Sequence, residues 1–113
     1  MTKTVSERKC ISNLEKILQK RRFTHLVGEQ PSTLKIEVQR IKLPDQVSGR
    51  LYLLYDIVEH LQGTYDDEGI RRWFDRNRTE LENKSPSQYL GPSCDAKGEY
   101  AQRVLALAKS LRG

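Results

Sequence analysis

The sequence predicts an all-α fold, a compact bundle of five to seven short helices. Apolar residues recur three and four positions apart in successive segments, whereas the alternation typical of a strand occurs in one segment only. Capping residues and glycines lie at the ends of those segments, as they do at the ends of helices. The 113 residues, of which 36% are hydrophobic, suffice for one domain of ordinary size with a modest core.

The first predicted helix covers residues 6–20. Ser6 can accept hydrogen bonds from its free N–H groups, and Lys20-Arg21-Arg22 place cations in its last turn. Its apolar stripe comprises Ile11, Leu14, Ile17 and Leu18. The segment from Phe23 to Val27 predicts a second, short helix that Gly28 ends.

The stretch 31–43 fits two patterns. Leu34, Ile36 and Val38 alternate as in a strand, whereas Leu34, Val38 and Ile41 fit one face of a helix. A single strand would have no partner for its backbone hydrogen bonds, so we expect a helix that Pro44 ends.

Two further helices are expected before residue 76. One begins near Ser48 and ends at Gly63. Its apolar face comprises Leu51, Leu54, Tyr55, Val58 and Leu61. Thr64 and Asp67 have the spacing of a capping box at the start of the next helix. The apolar residues of that helix are Ile70, Trp73 and Phe74.

The remainder of the chain predicts a loop and two more helices. The segment from Arg76 to Lys84 is polar apart from Leu81, which is typical of a loop. Ser85 and Pro86 have the order of a cap and a first helical residue, and Gly91-Pro92 ends that short helix. A last helix is expected from about Lys97 to Leu111. Its apolar side comprises Tyr100, Val104, Leu107, Ala108 and Leu111.

The positive charge of the chain is concentrated in its first half. Residues 1–50 carry 11 Lys and Arg against 5 Asp and Glu, whereas residues 51–113 carry 9 against 10. Such an asymmetry is consistent with binding of a polyanion such as DNA, and equally with a solvated, lysine-rich surface. We therefore divide the chain into a basic N-terminal helical region, 1–47, and a second region, 48–113.

The sequence predicts neither catalysis nor a bound cofactor. It has no Gly-rich phosphate loop, no GxSxG and no HExxH motif. Asp66-Asp67-Glu68 is expected to stabilise a helix N-terminus rather than to bind a metal. Cys10 and Cys94 are far apart and belong to no CxxC pair. We expect no enzyme activity, no catalytic residue, no cofactor and no metal.

A cytoplasmic location is expected. The longest uncharged apolar run, from Leu51 to Tyr55, is far shorter than the ~18–20 residues that span a bilayer. The N-terminus has no apolar segment of the kind found in secretory signals. We therefore expect two reduced cysteines and no membrane partner.

The segment from about Gly49 to Gly113 resembles the Xre/MbcA/ParS toxin-binding domain of bacterial antitoxins. A helix ending in Trp73-Phe74 precedes a polar loop. The run from Leu81 to Leu90 is similar to the family's Leu-x-Gly-x-x-Pro stretch, and a closing helix from Gly98 to Leu107 follows. The residues expected to fix the structure are Trp73, Leu81, Asn83, Pro86 and Leu90. Asn83 replaces the family's loop glycine, and Asn tolerates a positive φ better than most residues.

The resemblance implies a partner, a RES-domain toxin that depletes NAD. It also implies that the C-terminal end of the chain occludes the toxin's cofactor pocket. The toxin-binding residues would be Leu107, Lys109, Ser110, Leu111, Arg112 and Gly113. Compensation of the helix dipole is the simpler explanation of Lys109 and Arg112, and the apolar face could equally pack against the domain itself.

Many such antitoxins carry a helix-turn-helix before this domain and repress their own operon. Leu26-Val27-Gly28 followed by the 31–43 stretch could form a degenerate unit of that kind. The residues on its exposed side would be Lys35, Gln39, Arg40 and Lys42. The alternatives are a dimerisation or scaffold region, and a stand-alone DNA-binding regulator without a toxin partner. A homodimer, or a hetero-oligomer with the toxin, is expected.

Overall fold

Six α-helices and one turn of 3-10 helix make up most of the structure, a computed structural model that describes residues 6–40, 42–91 and 98–110. The helices are α1 (Glu7–Val27), α2 (Pro31–Arg40), α3 (Asp45–Gln62), α4 (Asp67–Asp75), α5 (Pro86–Leu90) and α6 (Glu99–Ser110), and the 3-10 turn is Thr79–Leu81. Over these ranges, the sole β-type pairing is an isolated bridge between Arg78 and Lys84. The predicted all-α class is confirmed.

The helices surround one hydrophobic core. α1 and α3 pack against each other at its centre, with α2 and α4 against α1 and α6 against α3. α5 is short and contacts α1, α4 and α6. Buried residues from both predicted regions, such as Leu14 and Leu105, belong to the same cluster. The radius of gyration of 13.3 Å is close to the ~13 Å typical of a 100-residue domain.

Side-chain caps define the starts of three helices. Ser6 Oγ accepts a hydrogen bond from the backbone N–H of Lys9 over 3.2 Å. At α5, Ser85 and Gln88 form the two hydrogen bonds of a capping box. The cap of α4 is Asp66, whose Oδ1 accepts from the N–H of Gly69 over 2.8 Å. The prediction of Thr64 as this cap is wrong, because α4 begins two residues later than that cap requires, after Asp66. Thr64 belongs to the end of α3, where its N–H donates to the carbonyl of Leu61.

The first helix is broken, but not where the charged residues predict. α1 runs from Glu7 to Val27, and Gln19 within it has non-helical dihedral angles, φ 69° and ψ 163°. The break therefore precedes Lys20 rather than following Arg22. The helix ends as predicted at Gly28, which adopts the left-handed conformation with φ 91° and donates to the carbonyl of Thr24.

Pro44 belongs to the start of α3 rather than to the end of α2. α2 ends at Arg40, and Pro44 is the residue before α3, with φ −56° and ψ 146°. Proline suits that position because a helix start does not need its N–H and favours its fixed φ. α3 therefore begins three residues before Ser48, whose hydroxyl donates a hydrogen bond to the Glu7 carboxylate.

The last helix agrees with the prediction in extent but not in orientation. It covers Glu99–Ser110, and the predicted end residues Lys97 and Leu111 lie outside the described residues, as do Pro92 and Cys94. Tyr100 is 52% exposed, so its placement on the apolar side is wrong. The buried residues are Ala101, Val104, Leu105 and Ala108. The face is rotated because α6 packs against both α3 and α5.

Candidate partner-binding surface on the last helix

An open groove runs along one side of α6. It is lined by Glu80, Leu81, Arg103, Ala106, Leu107 and Ser110, and its volume is about 260 Å³. We call it the α6 groove. Leu81 comes from the 3-10 turn and is fully buried, so it forms the floor between the turn and the helix. Leu107 is only partly buried and presents apolar surface to the groove.

Arg103 connects α6 to its neighbours at this groove. Its Nη1 donates a hydrogen bond to the Tyr89 hydroxyl of α5 over 2.9 Å, and its Nη2 pairs with Glu99. A longer ion pair of 3.8 Å reaches Glu82, just after the 3-10 turn. The hydrogen bond to Tyr89 and the charge of Glu99 raise the pKa of Arg103. Three elements therefore hold this guanidinium in place on the wall of the groove.

Tyr100 is an exposed aromatic residue on the same helix. Its ring packs against that of Tyr89, with 4.6 Å between the ring centroids and a tilt of 49° between the planes. The contact places a large aromatic ring at the surface beside α5. The sequence pattern predicted neither Tyr100 nor Arg103 as a surface residue. The spacing of Glu99 and Arg103, four residues apart, is the signal from which the ion pair could have been predicted.

The predicted toxin-binding residues are only partly described. Leu107 lines the α6 groove, and Ser110 lies at its end, where its hydroxyl donates to the carbonyl of Leu107 over 2.8 Å. Lys109 is exposed. Leu111, Arg112 and Gly113 lie outside the described residues. The structure therefore brings Leu107 and Ser110 together at one groove and leaves Lys109 on the solvent side.

The residues expected to fix the loop after α4 are mostly buried. Leu81, Pro86 and Leu90 are in the core or at its edge, and Trp73 is only 3% exposed. Asn83 is exposed and has φ 65°, a left-handed conformation that Asn tolerates better than most residues. Its neighbour Glu82 also has a positive φ, of 58°, which the sequence analysis did not predict.

The predicted DNA-binding residues are distributed unevenly over α2 and the segment after it. Gln39, Arg40 and Lys42 are exposed. Lys35 forms a 2.5 Å ion pair with Glu15 of α1, so its charge is partly compensated within the chain. Ile36 is 59% exposed between these polar residues. The exposed side of α2 therefore combines cations with an apolar side chain.

The described residues show no further chemistry of the kinds considered in the sequence. Among them, no group of three or more His, Cys, Asp or Glu is placed to hold a metal ion. No helix in the described ranges has the length and apolar character to cross a membrane. Protein-family models, curated proteins and solved structures were compared with the chain, and none of them matches it.

Proposed function

We propose that this protein is the antitoxin of a type II toxin–antitoxin system and that it binds a RES-type, NAD-depleting toxin. The observation that carries the proposal is Leu107, an apolar residue near the end of α6 that its own chain only partly covers. It borders the open α6 groove, in the segment that resembles the antitoxins' toxin-binding domain. An apolar centre with a polar border is the usual anatomy of a protein–protein interface.

The α6 groove has that arrangement of apolar and polar residues. Ala106 and Leu107 supply its exposed apolar surface above the buried Leu81, and Glu80 and Arg103 stand at its polar border. Because Arg103 is held by α5 and by the residue after the 3-10 turn, the groove needs little ordering when a partner binds. Tyr100, packed against Tyr89, supplies an adjacent aromatic surface of the type enriched in interfaces.

Inhibition by this chain requires no chemistry of its own. The buried face of α6 anchors the helix to α3 and α5, so Ser110, at the end of the helix, has a fixed position on the domain. In the proposed complex, Lys109 and Ser110 line the entrance of the toxin's cofactor pocket. Leu111 supplies apolar burial, and Arg112 and the Gly113 carboxylate occupy the places of the charged groups of the substrate. The toxin is then inhibited by steric occlusion.

Co-expression with the toxin encoded beside it tests the proposal. The intact chain should abolish toxicity, and full toxicity in its presence would reject the antitoxin function. Deletion of Ser110 to Gly113 should clearly weaken neutralisation of the toxin. It should change the unfolding temperature little, because these residues follow the buried face of α6. Equal neutralisation by the truncated chain would reject occlusion by the C-terminal end.

A matched pair of variants tests the groove itself. Leu107→Glu places a charge in the groove, whereas Gln102→Glu places the same charge on an exposed position of the same helix. We expect Leu107→Glu to abolish binding in a pull-down with the toxin and Gln102→Glu to leave it unchanged. Thermal unfolding of both variants separates loss of binding from loss of folding. If Leu107→Glu binds the toxin as well as the unmodified chain does, the α6 groove is excluded as the toxin-binding surface.

A DNA-binding regulator is the second candidate function. It is favoured by the short turn between α1 and α2 together with the exposed Gln39, Arg40 and Lys42. Phosphate contacts make log affinity fall steeply with log salt, so the salt dependence of binding to the upstream DNA tests it. We expect the triple alanine variant of these residues to reduce that slope. Absence of salt-dependent binding would exclude this function without affecting the antitoxin proposal.

A further inference from the structure

A second cavity, distinct from the α6 groove, lies beside the only tryptophan of the chain. It is lined by Tyr65, Gly69, Arg72, Trp73, Arg76 and Arg78, and its volume is about 200 Å³. We call it the arginine pocket. Three of its six lining residues are arginines and none is acidic. Such a cavity therefore favours an anion.

The arginines of this pocket are incompletely neutralised by the protein. Arg72 pairs with Glu68 over 2.7 Å. The side chain of Arg76 makes no ion pair or hydrogen bond with any residue in the described ranges, and it is exposed at the end of α4. The Nε of Arg78 is buried without a hydrogen-bond partner among the same residues. Arg76 therefore keeps its side-chain donors for a ligand, and the charge of Arg78 is not paired with a carboxylate in the described ranges.

Arg78 is held in place before any ligand binds. Its guanidinium lies over the Trp73 ring, 4.9 Å from the ring centroid. Its backbone N–H donates to the carbonyl of Lys84, and its carbonyl accepts from Asn83. Burial has the largest effect on the pKa of Arg78 and lowers it, whereas Tyr65 and Glu80 raise this pKa and Arg76 lowers it. An anion bound between these two cations would relieve their repulsion.

Gly69 allows the aromatic side of the pocket to form. A Cβ at residue 69 would lie 3.0 Å from Tyr65 Cβ and 3.2 Å from Tyr65 Cδ1. Only glycine therefore lets the Tyr65 side chain lie this close to α4 without displacement. The tyrosine ring is 36% exposed and borders the arginines.

We propose that the arginine pocket binds the phosphate group of a small phosphorylated ligand. Phosphate offers several strong acceptors and two negative charges, which match the fork-shaped donors of more than one arginine better than a single carboxylate does. The volume is below the ~300–1,000 Å³ of pockets for drug-sized ligands, which also favours a small ligand.

Trp73 provides the measurement, because it is the sole tryptophan and lines the pocket. We expect inorganic phosphate and AMP to change its fluorescence in a saturable manner at constant ionic strength. Chloride and adenosine should not do so. Broadening of the ³¹P resonance of AMP gives an independent readout. An equal response to chloride, or no response to phosphate and AMP, would overturn the proposal.

A matched pair of variants assigns the binding to the pocket. Arg76→Gln should weaken phosphate binding about tenfold or more, since hydrogen bonds to charged groups are the stronger ones. Arg8→Gln removes the same charge from an exposed position near the start of α1 and should leave binding unchanged. Both side chains are exposed, so neither variant should alter thermal unfolding. Equal weakening by the two variants would overturn the assignment, as would tighter binding of a 5′-phosphorylated oligonucleotide than of AMP.

Discussion

The guanidinium of Arg71, on α4, donates a hydrogen bond of 2.7 Å to the carbonyl oxygen of Ile17, two residues before the break in α1. Arg22, three residues after the break at Gln19, pairs with Asp75 at the end of α4. α4 is thus bound to α1 on both sides of the break. Gln19 is neither a glycine nor a proline. We therefore attribute the break in α1 to the packing of α4 against both parts of that helix.

Gln19→Gly should stabilise the protein. Gln19 has φ 69° and ψ 163°, a region that glycine occupies almost alone and that costs other residues about 1–3 kcal/mol. Glycine gives the unfolded chain more conformational entropy, which lowers the free energy of unfolding by about 0.5–1 kcal/mol. We therefore expect the free energy of unfolding in urea to rise by about 1 kcal/mol. Lys16→Gly, at an exposed helical position, should instead lower it by about 1 kcal/mol. A similar loss in both variants would contradict the strained conformation.

Arg71→Ala should destabilise the protein by about 1.5–3 kcal/mol, because it removes a partly buried, charged donor from the Ile17 carbonyl. The adjacent arginine provides the control. The Arg72 side chain is 76% exposed, and its one ion pair within the described residues is with Glu68, so Arg72→Ala should change the free energy of unfolding by about 0.5 kcal/mol or less. Urea denaturation of the two variants compares them directly. Equal effects would show that Arg71 contributes no more than an exposed ion pair.

Ser85→Ala should cost about 1–2 kcal/mol of stability, measured by thermal unfolding. Ser85 is 4% exposed and accepts a hydrogen bond of 3.2 Å from the N–H of Gln88, which the alanine variant leaves without its partner. Ser6 has the same role at α1 but is exposed, so water can replace its hydroxyl. Ser6→Ala should therefore cost only about 0.5 kcal/mol. A larger loss for Ser6→Ala than for Ser85→Ala would refute this ranking.

The stability of the protein should fall as pH rises from about 9 to 11. Burial, followed by the charges of Glu7 and Glu59, raises the pKa of the Cys10 thiol from 9.0 to about 11. The unfolded chain loses this proton first, so in that interval it binds fewer protons than the folded chain. The loss of stability can approach 1.4 kcal/mol per pH unit.

Cys10→Ala isolates the contribution of the thiol. The pKa values of Tyr52 and Tyr55 are also raised by burial, and both tyrosines remain in the variant. We expect the unfolding free energy of Cys10→Ala to depend less on pH than that of the unmodified chain over the same interval. Identical pH dependence in the two proteins would show that Cys10 titrates normally in the folded state.

Local sequence patterns were sufficient to predict most of the helices and one residue of the α6 groove. Ser85, Pro86 and Gly28 were recognised in their correct roles because capping depends on neighbouring backbone groups alone. Leu107 was singled out by helical periodicity, and it does line the α6 groove. Arg103 was missed because its role depends on Tyr89 and Glu82, which lie in other elements. The arginine pocket was missed for the same reason, since it combines α4 with Tyr65 before it and Arg78 after it.

By itself, the sequence determined the helical class, a range of five to seven helices and several of their ends, because these depend on interactions within a few residues. Only the tertiary structure decided the break at Gln19, the rotation that exposes Tyr100 and buries Leu105, and the two cavities. The break and the rotation arise where α1 and α6 each pack against two or more other helices, so they depend on groups distant along the chain. The two cavities depend on how neighbouring elements meet, and the pattern within one helix does not contain that information.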